Sequence, residues 1–190
     1  MDINPLETEQ IGIQTLEKRL MKSESNISLK IGVPKEVSND ERRICLTPGG
    51  ASVLIANGHE VFIEQDAGAE ANFTDEEFAD AGAEVAFSID EVYKKSDMIV
   101  KVAPPSDSEL ELLEQDQTLL SALHLGNTTE EFIDLLIKKN ITAIGFEFIK
   151  GEDKEFPIVR MMHEITGSMS VQIGAHYLEK TDGGQGIMLG

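Results

Sequence analysis

The sequence predicts an α/β fold built on a mostly parallel sheet with helices on both faces. Three observations predict it. From residue 29 onward, short runs rich in Val, Ile and Leu alternate with helical patterns. Several of those patterns open on Ser or Thr with Glu three residues later, the spacing that satisfies two free amides at a helix start. The connections between runs are short, as strand-helix-strand crossovers in a parallel sheet require. A chain of 190 residues can bury a real core and suits one domain, or one and a fragment of the next.

In chain order, residues 1–28 form an N-terminal extension. Leu6, Ile13, Leu16 and Leu20 recur near the helical period and predict an amphipathic helix, followed by a polar linker over 23–26. The first strand is expected over 30–33 and ends at Pro34. A charged loop holding Asp40, Glu41, Arg42 and Arg43 then leads to Thr47-Pro48, a capping threonine followed by a proline that lacks the amide a first helical residue would leave unpaired. Asn57-Gly58 stops that helix. Further strands are expected over 61–64, 84–87, 98–102, 118–123 and 143–148, with helix starts at Thr74, Ser88 and Thr128 and a stop at Asn140. A charged turn over 151–155 precedes a long helix over about 161–179. The organisation is therefore an extension over 1–28, an α/β domain over 29–160, and a long helix with a glycine-rich hinge over 161–190.

Composition narrows the function classes. A formal charge of −19, from 35 acidic and 16 basic side chains, argues against nucleic-acid binding, which needs clustered Lys and Arg. No run approaches the ~20 apolar residues of a membrane span. The acidic N-terminus lacks a basic region followed by an apolar one, so the expected location is cytoplasmic. The single cysteine, Cys45, lies between Ile44 and Leu46 and reads as a small buried residue. His59 follows Gly58 at a helix end and reads as structural, and His163 and His176, thirteen apart on one helix, face different sides and share no metal. The expected partners are small molecules or proteins.

Three residues stand out as carriers of chemistry. Lys101 interrupts the apolar run Ile99-Val100-Lys101-Val102, and an ammonium buried without a partner is costly. Two placements are open: a strand's C-terminal end facing a crevice, or an edge strand with the ammonium in water. His124 closes the next run, and histidine is the side-chain type suited to proton exchange with a reacting oxygen or nitrogen near neutral pH; a satisfied core histidine is the alternative. With Arg43, these residues come from the carboxyl ends of strands or the loop after one, where open parallel sheets gather small-molecule sites. Two cations and an imidazole fit a small 2-oxo acid, since arginine grips a carboxylate through two parallel hydrogen bonds and lysine supplies a compact charge.

The segments IGVPKE at 31–36, Glu41 with Arg43, LTPGG at 46–50 and NGHEVFIEQDAGA at 57–69 resemble the amino-terminal domain shared by alanine dehydrogenases and the alpha subunit of proton-pumping nicotinamide nucleotide transhydrogenase. The resemblance runs from about residue 29 to 190 and implies a Rossmann-like (flavodoxin-like) substrate domain. It implies that Arg43 and Lys101 hold pyruvate, that His124 serves acid/base exchange or carbonyl polarisation, and that Met162 in PIVRMMHE lines the pocket. The histidine in SALHLGN at 121–127 favours alanine dehydrogenase over transhydrogenase. The family's dinucleotide-binding domain with its G-x-G-x-x-G turn is not found here, and Gly183-Gly184-Gln185-Gly186 follows a helix and resembles an interdomain hinge. The expectation is a substrate domain whose full enzyme oxidatively deaminates L-alanine to pyruvate and ammonia with NAD held by a second domain, so that this chain alone is inactive. Many relatives are hexamers, which implies a homo-oligomer. The alternatives are a transhydrogenase alpha-subunit fragment, a saccharopine dehydrogenase fragment, and a non-catalytic binding or interaction module.

Overall fold

Six short parallel strands carry the architecture: β1 (Lys30–Val33), β2 (Glu60–Glu64), β3 (Glu84–Ala86), β4 (Met98–Val100), β5 (Thr118–Ser121) and β6 (Thr142–Gly145). The computed structural model describes residues 28–38 and 40–188; the helix expected near the N-terminus lies outside the described residues. The sheet order is β3-β2-β1-β4-β5-β6. Successive strands step outward from β1 to β3, and the chain then crosses back so that β4 pairs with β1 through Ile31 with Met98 and Gly32 with Ile99. The order reverses between β1 and β4, and the carboxyl-end crevice at such a reversal is where open α/β sheets bind ligands.

The helices follow their capping residues. α1 (Pro48–Ala56) starts on Thr47, whose side chain accepts from Gly50 N, and has Pro48 in its first turn. α2 (Asp75–Asp80) opens with a complete capping box between Thr74 and Glu77. α3 (Ile89–Lys95) is capped by Ser88, and α4 (Asp107–Leu112) by a second complete box, Ser106 with Glu109. α5 (Glu130–Lys138) starts one residue later than expected. Its cap is Thr129, because the Thr128 hydroxyl is engaged on the Leu125 carbonyl at 2.9 Å.

Several strands end earlier than expected. Phe87 N turns from the ladder to Glu91 Oε2 at 3.1 Å, closing β3 at Ala86. Val102 N turns to Glu36 Oε1 at 2.6 Å, ending β4 before residues 101–102. β5 stops at Ser121, short of 122–123, and residues Phe146–Phe148 wind into a 3₁₀ turn instead of extending β6. β4 is flanked by β1 and β5 and is an interior strand, which rules out the edge-strand placement of Lys101.

Two apolar clusters occupy the two faces of the sheet. One joins Val33, Ala51, Val61, Ile63, Phe78 and Ala83 beneath α1 and α2. The other sets Tyr93, Ile99, Leu110, Leu119, Phe132 and Leu136 among its members, beneath α3, α4 and α5. A Cβ at Gly32 would collide with Ser96 Oγ and Val92 Cγ1, so glycine here lets α3 lie close against β1. The end of α3 is finished by Gln117, whose amide donates to Tyr93 O at 2.6 Å and Ser96 O at 2.8 Å while its oxygen accepts from Glu114 N at 2.7 Å. The Lys139 ammonium likewise serves the carbonyls of Leu110, Glu111 and Leu113 at the end of α4.

The chain divides into two compact units, up to Gly145 and from Phe146 onward. The second unit is dominated by α6 (Pro157–Leu178), four residues longer at its start than the predicted 161–179. Gly183, with φ of +85°, stops the 3₁₀ turn after α6, and Gly184 packs against the carbonyls of Tyr177 and Leu178. The glycine run is thus a helix stop and not a strand-to-helix turn. No helix among the described residues is long and apolar enough to cross a membrane.

Candidate functional site

The loops leaving β1, β4 and β5 emerge side by side at the carboxyl edge of the sheet, because those three strands are neighbours. Each delivers one of the residues singled out from the sequence. The β1–α1 loop carries Arg43, whose guanidinium is forked on Glu41: Nε donates to Oε1 at 2.7 Å and Nη2 to Oε2 at 2.6 Å. Glu41 Oε1 also accepts from Arg43 N at 2.9 Å. This pairing holds the Glu41 carboxyl below the usual carboxylate range and raises the Arg43 guanidinium further. A carboxylate on the Nε edge of a guanidinium fixes the plane of the group.

His124 lies three residues beyond β5, exposed to solvent, with φ of +46°. Histidine is one of the few residues enriched in this left-handed region, and strained backbone of this kind clusters at working sites. The turn is closed by Asn127 N on the His124 carbonyl at 2.7 Å.

Lys101 has a different setting. It is 1% exposed, and its Nζ donates to Glu109 Oε1 at 2.6 Å and stands 3.1 Å from Glu36 Oε2. The Glu36 oxygen lies outside hydrogen-bond geometry and is buried. The sequence reading missed both carboxylates. Glu109 was marked by the S-x-x-E spacing from Ser106, and Glu36 stands in the IGVPKE segment; a buried ammonium calls for such partners.

The β1–α1 loop is tied on both flanks. Lys35 N donates to Glu64 Oε2 at 2.8 Å on the β2 side, and burial pushes the Glu64 carboxyl up. On the β4 side, Val102 N meets Glu36, and Cys45 Sγ donates to Val100 O at 2.9 Å. Burial drives the Cys45 thiol up to about 12, which makes it a packing residue and not a nucleophile. The buried Tyr93 phenol, in the field of Glu109, Glu36 and Glu64, is pushed up as well. His59 is structural: its Nδ1 accepts from Leu29 N at 3.2 Å.

Met162 belongs to the second unit, half-buried on α6. His176 there lies 3.5 Å from Asp182, and with Glu179 its ligand atoms fall within 4.8 Å of one another, all three exposed.

The turn from β1 into α1 does not fit a dinucleotide pyrophosphate. The β1–α1 loop places carboxylates Glu36 and Glu41 near the β1 end, and the start of α1 is closed by the Thr47 hydroxyl and by Pro48, which has no N–H.

The reversed strand order defines a Rossmann-like domain, with an oriented arginine and a histidine of left-handed backbone beyond the strand ends. The alanine dehydrogenase/PNT N-terminal domain model matches residues 32–166. The chain is 43% identical over 160 residues to the alanine dehydrogenase of Methanococcus maripaludis, covering 84% of this chain and 43% of that protein. A solved L-alanine dehydrogenase superimposes with a TM-score of 0.80 at 39% identity, over 85% of this chain and 44% of that one. A transhydrogenase from Sinorhizobium meliloti follows with a TM-score of 0.58 at 26% identity, over 63% and 35%. This chain belongs to the alanine dehydrogenase/PNT family, as its N-terminal domain. It spans 43% of the length of the curated relatives it matches.

Proposed function

We propose that this chain supplies the substrate-holding part of an NAD-dependent alanine dehydrogenase, which oxidatively deaminates L-alanine to pyruvate and ammonia. The observation that carries the reading is Arg43, forked on Glu41 in the loop beside the β1/β4 reversal. In this reading Arg43 binds the carboxylate shared by pyruvate and L-alanine. His124, exposed on the neighbouring β5 loop, exchanges a proton with the oxygen on the substrate's second carbon. NAD supplies hydride chemistry from residues outside those described here. A role for Met162 and a homo-oligomeric assembly rest on the resemblance, and a cytoplasmic location on the acidic N-terminus.

The test is titration of the 190-residue chain with pyruvate and with L-alanine, following the Arg43 Nε–H and His124 ring signals by NMR. Pyruvate is expected to shift both signals. Arg43→Lys should weaken its binding about tenfold, since a point charge cannot reproduce two-point binding, a loss equivalent to about 1.4 kcal/mol. Signals unmoved by pyruvate, or an unchanged Kd in Arg43→Lys, would overturn the assignment.

A further inference from the structure

We infer that Lys101 and Glu36 are positioning residues that fix the Arg43 loop, and that Lys101 does not itself grip the substrate. The inference rests on the reading of Arg43 as the carboxylate-binding group. Its basis is the buried charge cluster at the carboxyl ends of β1 and β4. The Lys101 side chain is 0% exposed, and those of Glu36 and Glu109 are 7% and 2% exposed. A substrate anion reaching this ammonium would have to enter a space closed to water and displace a carboxylate hydrogen-bonded at 2.6 Å. What the ammonium does touch is informative. Glu109 is the third residue of α4, and its other oxygen accepts from Ser106 N and Oγ, both at 2.8 Å. Glu36 lies seven residues before Arg43 in the same loop. Lys101 therefore links the first turn of α4 to the loop that presents the guanidinium.

Two more contacts act in the same direction. Glu36 Oε1 accepts from Val102 N at 2.6 Å, and Cys45, two residues after Arg43, donates its thiol to Val100 O at 2.9 Å. The loop is thus fastened to the end of β4 on either side of Arg43 in sequence. Charge balance adds to the argument: three carboxylates, from Glu36, Glu64 and Glu109, act on the buried Tyr93 phenol, and Lys101 is the ammonium placed between two of them. Removing its charge would leave like charges facing each other, and the flexible part of that cluster is the loop.

The experiment uses the 190-residue chain, with pyruvate as the probe and two readouts: the pyruvate Kd, and the Arg43 Nε–H signal without ligand. The variants are Glu36→Gln, Lys101→Met and their combination, with Thr74→Ala as a control that removes the cap of a helix elsewhere in the chain. Glu36→Gln is expected to displace or broaden the Arg43 signal and to weaken pyruvate binding at least fivefold. Lys101→Met should do the same, and the double variant should be no worse than the poorer single one, because both changes release the same loop. Thr74→Ala should lower the melting temperature while leaving Kd and the Arg43 signal unchanged. If losses from Glu36→Gln and Lys101→Met multiply in the double variant, or if Lys101→Met weakens binding while Glu36→Gln does not, Lys101 grips the anion and the inference is overturned. Should Lys101→Met fail to fold, Glu36→Gln decides alone. If the wild-type chain binds no pyruvate, the proposed function fails. The Arg43 signal in ligand-free Glu36→Gln still judges the loop: an unmoved signal refutes the positioning role.

Discussion

Gly32→Ala should be the most damaging single methyl that β1 can receive. The added Cβ would fall under 3.0 Å from Ser96 Oγ and Val92 Cγ1, and both partners sit in a packed layer, with Val92 0% and Ser96 5% exposed. Ser96 cannot simply rotate away, because its hydroxyl donates to Val92 O at 2.7 Å. Either that hydrogen bond is lost or α3 moves off the sheet. Overpacking costs about 1–3 kcal/mol and a buried hydrogen bond about 0.5–1.5 kcal/mol, so a loss of about 2–4 kcal/mol is expected. For a chain of this size that corresponds to a fall in Tm of about 4–16 °C. The assay is urea and thermal unfolding of wild type, Gly32→Ala, Ser96→Ala and the double variant. Ser96→Ala removes the nearest obstacle, so the double variant should be less destabilised than the sum of the singles. A Gly32→Ala chain within about 0.5 kcal/mol of wild type, or strict additivity, would refute the claim that this glycine is required by the approach of α3.

Three further outcomes follow from buried or paired polar groups. Gln117→Leu strands the carbonyls of Tyr93 and Ser96 and the Glu114 amide, and should cost roughly 1–3 kcal/mol for each group left buried and unsatisfied, read by urea unfolding. Glu41 has its carboxyl lowered by Arg43, so its contribution is present above the ordinary carboxylate pKa and is lost as pH falls through the lowered value. Glu41→Gln should therefore shrink the stability lost on acidification over that window, and parallel acid titrations of the two chains by circular dichroism would show it. Cys45, half-buried and with its thiol driven up to about 12, should react with iodoacetamide at pH 8 more slowly in the folded chain than after urea unfolds it; equal labelling rates in native and unfolded protein would refute this.

Much of the fold was legible because it is written locally. Thr47-Pro48, Thr74-x-x-Glu77 and Ser88 each declare a helix start, and each caps the helix expected of it. At Thr128-Thr129 two adjacent threonines both offer a capping hydroxyl, and spacing to Glu131 favoured the wrong one; the turn after His124 had already claimed Thr128. The position of β4 was not legible, since no local signal says that the chain recrosses β2 and β1 after β3. That single long-range fact decides between the two placements of Lys101. Its carboxylate partners were present as types and spacings, but assigning Glu36 and Glu109 to one ammonium requires knowing that β1 and β4 are neighbours. The left-handed backbone of His124 was likewise hidden, because a histidine before Leu125-Gly126 does not itself dictate φ.

The placement of β1 also sets a schedule for folding. β1 can pair with β2 as soon as Glu64 is made, but its other flank waits for Met98, 34 residues later, and the Lys30 to Asp97 contact spans 67 residues. At a ribosomal rate of about 5–20 residues per second, that flank stands open for roughly 2–7 s. Its apolar residues, Ile31 and Val33, then form an uncovered strand border that any extended segment of another nascent chain can join. Aggregation during synthesis should therefore depend on the interval between the second and fourth strands: slowing translation there lengthens the exposure, and a chaperone that shields extended apolar segments is most useful to this chain in those few seconds.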